Sequence, residues 1–438
     1  MKNGDMIQVH LLTAYPATLL NRDDAGFAKR TLFGGAWRTR ISSQCLKKHW
    51  RDEGTIKKLG NHATRSRLIY ERKIAQHISA EQREKEGKDR ASEGEARQIA
   101  QYLLDVTLSK SEKRSEGEET EKKRGKKEEA AEIETGQVVV LTHAEVAFLQ
   151  DVAERMLKEL RSSPDPGSQA EDRLHQGFFK YLDEQGILGN LKIKASVEDL
   201  KAPKKRTAFL RKIRDGYFAK LTEHDGGASL DTAMFGRMVT SDLFSRVDAA
   251  IGVAHAFTTH AEQKGVDYFT AVDSLKDDSD DAGAGLIQET ELTTGVFYTY
   301  VVIDMVELRR NLGAQADLAE ELTGTLVRAM ATVSPGAKQG STAPFSYAEM
   351  ILLERGAQQP RTLANAFLQP VRANNGSLMA ESVGALLTHR AALEAMYEPF
   401  EGKEALATIH DAALPKDIRS SLKTVSLKEA IHRVLGEG

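Results

Sequence analysis

Between Asn21 and Arg51 the chain reads NRDDAGFAKRTLFGGAWRTRISSQCLKKHWR. Ser42 and Ser43 stand where a helix would begin, because an N-cap Ser hydroxyl accepts from an otherwise unpaired backbone N–H. Beyond them Gln44, Lys47, Lys48 and Arg51 fall at i, i+3, i+4 and i+7, on one helix face. Leu46 and Trp50 take another face that can bury. Before the cap, Arg38 and Arg40 alternate with Trp37, Thr39 and Ile41, so in a strand both arginines project from the same side. Strand arginines, N–H groups at a helix start and a cationic helix face would then converge, the arrangement that holds phosphates. Gly34 and Gly35 fit a turn or a close backbone approach. A solvated helix face beside an ordinary strand explains the same charges without a ligand, and composition does not name the anion.

Other chemistry-bearing residues are weaker. Asp23 and Asp24 are adjacent carboxylates that a divalent metal would accept, but turn capping or pairing with Arg22 explains them more simply. His255 and His260 are five apart with no HExxH pattern, so a zinc helix is excluded and structural roles are expected. Asp277, Asp278, Asp280 and Asp281, with Gly283 and Gly285, lack the spacing and terminal Glu of an EF-hand and read as a loop tip. The one cysteine, Cys45, rules out an intramolecular disulfide and is expected to pack simply.

The elements that must position these residues follow from length and pattern. At 438 residues, two or three folding units are expected. A net charge of −3, from 61 basic and 64 acidic residues, means that affinity for nucleic acid must come from local patches. The start, MKNGDMIQVHLLTAY, is too polar for a signal peptide, and no apolar run reaches the ~20 residues of a spanning helix. A soluble, cytoplasmic protein is expected. Ile7, Val9 and Leu11 alternate as a half-buried first strand, and Val296, Tyr298, Tyr300 and Val302 alternate as another. Val146, Leu149, Val152, Met156 and Leu160 mark a helix over 143–161, and Leu318, Leu322, Leu326 and Met330 a core-facing helical stripe. Residues 109–136 contain almost no large apolar side chain, and disorder or a solvated helix is expected there. A second basic cluster, Lys201, Lys204, Lys205, Arg206, Arg211, Lys212 and Arg214, surrounds Pro203. It reads equally as a solvated face or a polyanion path.

Taken together these blocks resemble the CasC family, the backbone subunit of type I-E CRISPR surveillance complexes (Cascade). The resemblance rests on Asn21-Arg22-Asp23-Asp24, Phe33-Gly34-Gly35 and the run Arg38 to Lys48. Collinear blocks follow at Gly236-Arg237-Met238, Val247 to His260, Tyr268 to Asp273, Thr294 to Tyr300, Pro335 to Gln339 and Ala364 to Phe367. It is weak between about residues 60 and 225, and 79–136 departs from the family core.

The resemblance implies an α+β molecule: a ferredoxin-like, RNA-recognition-motif-type palm with inserted helical fingers and a β-hairpin thumb. Palm is expected at 1–60, 226–257 and 296–438, fingers at 61–225 and thumb at 258–295, with Thr258, Thr259, Leu286 and Thr294 in the thumb. It implies a non-catalytic, antiviral scaffold needing no cofactor or metal, whose partners are CRISPR RNA, target DNA through the guide, copies of itself, other Cascade subunits and a separate effector nuclease. By matched position Arg22, Lys29, Ser42, Gln44, Lys47, Arg51 and Lys338 would contact guide phosphates or sugars, with Arg38, Arg40, Ser43 and Lys48 beside them. Met238 would wedge against bases, with core packing as its alternative. Lys201, Lys204, Lys205 and Arg206 would face the DNA path. Aromatic residues make up 6% of the chain and match no base-stacking signature, so recognition through the RNA backbone is expected. Related type III backbone subunits cleave RNA with a loop aspartate, which makes a metal-dependent endonuclease using Asp23 and Asp24 the alternative.

Overall fold

In the computed structural model, residues 4–80, 89–108, 132–162, 169–218, 229–237, 241, 243–262, 265–271, 286–373 and 377–436 are described. Of the stretch 109–136, expected to be disordered or a solvated helix, residues 109–131 lie outside them, as do the aspartates at 277–281 and Met238, while Ile133 and Thr135 at its end are buried. The chain divides into two units. One comprises residues 1–59, 250–308 and 318–438, and the other 60–249 and 309–317. Residues 226–249, assigned to the palm from sequence, thus pack within the second unit.

The strands of the first unit draw on β-branched and aromatic residues most heavily in β9 (Leu286–Asp304), as a pleated, enclosed surface favours. They are β1 (Met6–Thr18), β2 (Arg30–Phe33), β3 (Ala36–Ile41), β6 (Ile251–Val253), β7 (Ala256–Thr258), β8 (Gly265–Ala271), β9 (Leu286–Asp304), β10 (Ala348–Gly356) and β11 (Lys403–Thr408). Their order is β11-β10-β1-β9-β7-β3-β2, with β6 and β8 also paired to β9. The central four, β10-β1-β9-β7, pair antiparallel throughout. Helix α1 (Ser43–Arg51) lies in the connection from β1 to β7, and the helix Ala319–Thr332 in that from β9 to β10. That strand order and pair of crossovers form the ferredoxin-like arrangement.

β1 is more enclosed than its alternation suggests. Ile7, Val9 and Leu11 are buried on one face as expected, but Gln8, His10 and Leu12 are buried on the other. The reason is a second cover. The helices Ala319–Thr332 and Leu427–Leu435 contact β10, and the second of them also β11. Leu12, Tyr298, Met350, Leu352 and Leu406 instead share a core with Phe367 and with Val383, Leu386 and Leu387 of the helix Leu378–Met396. Within that layer the Glu354 carboxylate meets Arg390 and Arg361 at 2.9 and 3.1 Å. Burial pushes this carboxyl up, and His10, Arg390 and Arg361 pull it further down, to about 2.

The β2–β3 hairpin is pinned to this layer at a glycine. Gly34 has φ +59°, and a Cβ there would stand 1.6 Å from the Leu368 carbonyl oxygen, a position only glycine can occupy. β8 pairs with the first part of β9 from Gly265↔Leu292 to Ala271↔Leu286, forming a hairpin whose return strand runs on into the palm.

The second unit is mainly helical. Capping boxes, Ser92 with Glu95 and Thr142 with Glu145, start the helices Glu93–Thr107 and His143–Arg161. The latter buries Val146, Leu149, Val152 and Met156 as its spacing predicts. It packs closely on the helix Ala170–Glu184, where a Cβ at Gly177 would meet the Met156 Cα at 2.7 Å. A two-stranded sheet joins β4 (Thr64–Ser66) to β5 (Val139–Leu141). Arg237 of the Gly-Arg-Met block is buried, donating to Glu145 and to the Ser245 carbonyl, and so holds this unit together.

Candidate nucleic-acid interface

The basic stretch is assembled around Asn21. Its side-chain oxygen accepts the Ser42 N–H at 2.9 Å, and its carbonyl accepts the Lys29 N–H at 3.0 Å. The Lys29 carbonyl then accepts the Arg40 N–H at 2.8 Å. One asparagine therefore fixes the start of α1, the loop bearing Lys29 and the strand bearing Arg40. Preceding it, the Leu19 carbonyl accepts from Ala337 at 2.7 Å, which brings the exposed, left-handed Lys338 to the segment leading into Arg22.

Ser42 is the N-cap of α1, its hydroxyl accepting the Cys45 N–H at 3.3 Å. Ser43 is the first helical residue, and its hydroxyl donates to Gln44 at 3.3 Å. Leu46 and Trp50 are buried, while Gln44 and Lys48 are exposed and Lys47 and Arg51 half-buried. Burial pushes the Lys47 ammonium down and likewise the Arg51 guanidinium, which Asp52 partly restores. Partly desolvated cations gain from an arriving anion. Lys48 meets Asp52 at 3.5 Å one turn on. Cys45 packs on this helix; burial raises its thiol, with Lys48 and Lys29 opposing. Lys29 and α1 thus act on one locus.

The two strand arginines part company. Arg40 donates to the Arg30 carbonyl at 3.2 Å and through Nη1 to His255 Nδ1 at 2.8 Å. His255 is held below its usual range by burial, then by Arg40 and Lys29, which fits a neutral ring accepting from a cation. Arg38, expected at the anion surface, is instead wholly enclosed. It donates to the carbonyls of Thr258, Thr259 and Phe367 at 3.1, 2.7 and 2.7 Å. Burial lowers its affinity for its proton. The inward turn has a simple cause: two carbonyls at the end of β7 and one at the end of the 3-10 turn Ala364–Phe367 need a donor, and a planar guanidinium reaches them all.

Thr258 and Thr259 also differ from expectation. Thr258 ends palm strand β7, and both are fully buried. The Thr258 hydroxyl donates to the His260 carbonyl at 3.0 Å, and the Thr259 N–H to the Val296 carbonyl at 2.9 Å. Leu286 faces Ala271 across the hairpin, and Thr294 is exposed on β9. His260 is structural: its Nδ1 contacts the Ala261 carbonyl at 2.8 Å, and its Nε2 accepts the Val296 N–H at 3.3 Å.

Asp23 caps its own turn, one carboxylate oxygen accepting from Ala25 and Phe27 at 3.0 and 2.9 Å. Asp24 is exposed beside it, as is Arg22, which bridges to Ala28. Among the described residues no group of three or more His, Cys, Asp or Glu gathers as a metal site. Nor is any described helix long and apolar enough to cross a membrane.

The sheet face that an RNA-recognition module opens to bases is closed here. Tyr298 and Phe367 lie 5.4 Å apart, 1% and 0% exposed, beneath the helix Leu378–Met396. In the second unit Lys201 pairs with Asp172 and Glu198 at 2.9 and 3.0 Å, and Lys205 with Asp199 at 3.7 Å. Lys204 is exposed on the helix Pro203–Gly216 and Arg206 half-buried.

Sequence reasoning missed Asn21 as organiser and Arg30 as a tie. Local spacing carries no signal for Asn21, whose partner Ser42 lies 21 residues on.

Two solved structures share the architecture. A chain of a "CRISPR RNA-guided surveillance complex, pre-nicking" superposes with a TM-score of 0.66 at 22% identity, covering 98% of this chain and 99% of that one. A chain of a "CRISPR RNA-guided surveillance complex" gives 0.60 at 19%, covering 97% and 98%. At these identities the likeness shows the fold. No curated protein matches in sequence. A family model described as CT1975-like protein, of the Cas proteins, matches residues 7–433, nearly the whole chain, and the protein belongs to that family.

Proposed function

We infer that this chain is the multi-copy backbone subunit of a type I-E Cascade, binding the spacer part of CRISPR RNA through phosphates and sugars without regard to sequence. The observation that carries this reading is the assembly around Asn21, which sets Lys29, Arg40 and the Gln44-Lys47-Lys48-Arg51 face on one rigid frame. Cations on a fixed frame match a backbone of regular charge spacing, and phosphate contacts carry no base information. A closed sheet face leaves no stacking platform among the described palm residues, which suits a subunit that must accept any spacer. Arg22, Gln44, Lys47, Arg51 and Lys338 are proposed guide contacts, and Lys204 and Arg206 proposed contacts on the DNA path. The subunit acts as a scaffold, with cleavage left to a separate nuclease; the carboxylate of Asp23 is occupied in its own turn.

The test is to express the chain with its neighbouring complex subunits, purify the assembly and sequence any RNA that co-elutes. Repeat-spacer RNA protected in a multi-copy particle is expected. An RNA-free monomer, or metal-dependent RNA cleavage lost on replacing Asp23 and Asp24, overturns the reading.

A further inference from the structure

Arg30 stands beside Lys29 in the basic stretch, yet its guanidinium is taken up by two carboxylates. Its Nε donates to Glu262 and its Nη2 to Glu291, and both carboxylate side chains are nearly buried, 7% and 9% exposed. Glu262 precedes β8, and Glu291 lies on β9 opposite Val266, so the two carboxylates come from the two legs of the β8–β9 hairpin at its root. Each leg is tied a second time to the segment around Arg30. The other Glu291 oxygen accepts the Ala28 N–H at 3.1 Å, and the Glu262 N–H donates to the Trp37 carbonyl at 2.8 Å. From the opposite side, Arg40 donates to the Arg30 carbonyl. One guanidinium thus joins a hairpin root to the loop and strand that present Lys29 and Arg40.

We propose that Arg30 is a positioning residue of the guide-binding surface: it fastens the root of the β8–β9 hairpin to the Ala28–Arg40 segment and makes no phosphate contact itself. This rests on the reading of that surface as an RNA site. The fork geometry matters, because a planar guanidinium satisfies two carboxylates from different strands at once, whereas an ammonium is a single point charge. The cluster also carries two acidic groups against one basic group, so simple electrostatics makes it a place that repels RNA. The proposal therefore separates from a charge effect at Glu291. Removing that negative charge should tighten RNA binding if only the field counts, and weaken it if the tie counts.

The experiment uses the full chain and a mixed-sequence single-stranded RNA, with affinity measured across a salt series and amide hydrogen exchange measured without RNA. Arg30→Gln and Glu291→Gln are each expected to lower affinity about fivefold, with the double variant no weaker than either, as for residues of one contact. The slope of log affinity against log salt should stay that of the wild type, and Arg30→Lys should rescue only in part. Exchange at the Ala28 and Glu262 amides should quicken in all of these variants. Tighter binding by Glu291→Gln, a slope lowered by about 0.7 in Arg30→Gln, or full rescue by Lys overturns the proposal. Should Arg30→Gln fail to fold, the Glu291→Gln arm decides alone. A wild-type chain that binds no RNA overturns the reading of the surface, while unchanged amide exchange in the variants overturns the tie.

Discussion

Two histidines sense the fields of the two basic regions, and the fields differ. His255, beside Arg40 and Lys29, is held down by burial and then only by cations. His175, in the helical unit, is held down by burial, but Glu171 and Asp172 raise it while Arg206 and Lys201 lower it. Both regions are rich in Lys and Arg. In the first, hydrogen bonds through Asn21 and Lys29 fix the segments that carry Lys29, Arg40 and α1, where Lys48 meets Asp52, whereas in the second Lys201 and Lys205 each meet a carboxylate. A polyanion responds to the local field, and in a chain of net charge −3 that field must come from patches, of which the one around His255 is set by cations and the one around His175 by both signs.

The sharpest way to break the comparison is to remove Arg38, the wholly enclosed arginine of the first region. Arg38→Ala strips the donor from three carbonyls and leaves a void, for an expected loss of about 3–5 kcal/mol in unfolding free energy, read by chemical denaturation. For the fraction that stays folded, the salt slope of RNA binding should not change, because Arg38 is enclosed. A stable Arg38→Ala protein whose slope falls would return Arg38 to the phosphate surface.

Next in size is the contrast between the two regions themselves. Replacing Lys47 and Arg51 by Ala should weaken binding of single-stranded RNA by roughly 1–3 kcal/mol, evenly across sequences, with the salt slope lowered by about 0.7 for each lost phosphate contact. Replacing Lys201 and Lys205 by Ala should move that slope far less, since each already meets a carboxylate. Equal slopes for the two pairs would erase the distinction, and an effect confined to particular RNA sequences would contradict recognition through the backbone.

How far the sequence reached depends on how local the determining contact is. The cap at Ser42, the burial of Leu46 and Trp50 and the exposure of Gln44 and Lys48 are settled within one helix, and spacing alone predicts them. The ferredoxin-like palm followed from resemblance, and the strand order agrees with it. Arg38 was misjudged because alternation tells which side a side chain leaves a strand, not what waits there. The carbonyls it meets belong to residues 220, 221 and 329 positions away. Arg30 was passed over for the same reason, its carboxylates lying 232 and 261 positions along. Thr258 and Thr259 are thumb residues by resemblance, yet the sheet continues through Thr258 and both are buried. β1 read as half-buried because a single strand's pattern cannot reveal a second covering layer.

The smallest effect is also the most direct reading of the two fields. In an NMR titration, both His255 and His175 should change charge below the ordinary histidine value near 6.5. Lys29→Gln removes a cation and should raise the His255 midpoint, while Glu171→Gln removes an anion and should lower that of His175. Movement of His255 downward in Lys29→Gln would mean its surroundings are not cationic and would undo the comparison. The same titrations carry a sign for stability. His10, His175, His255 and His260 all have folded values below the unfolded one, with burial the leading cause. The unfolded chain therefore takes up protons first, so their contribution is fully present above about pH 6.5 and is lost as the pH falls through the folded values. His10, wholly enclosed between β9 and β10, should account for more of this acid limb than exposed His255, so His10→Gln should flatten the limb more than His255→Gln does.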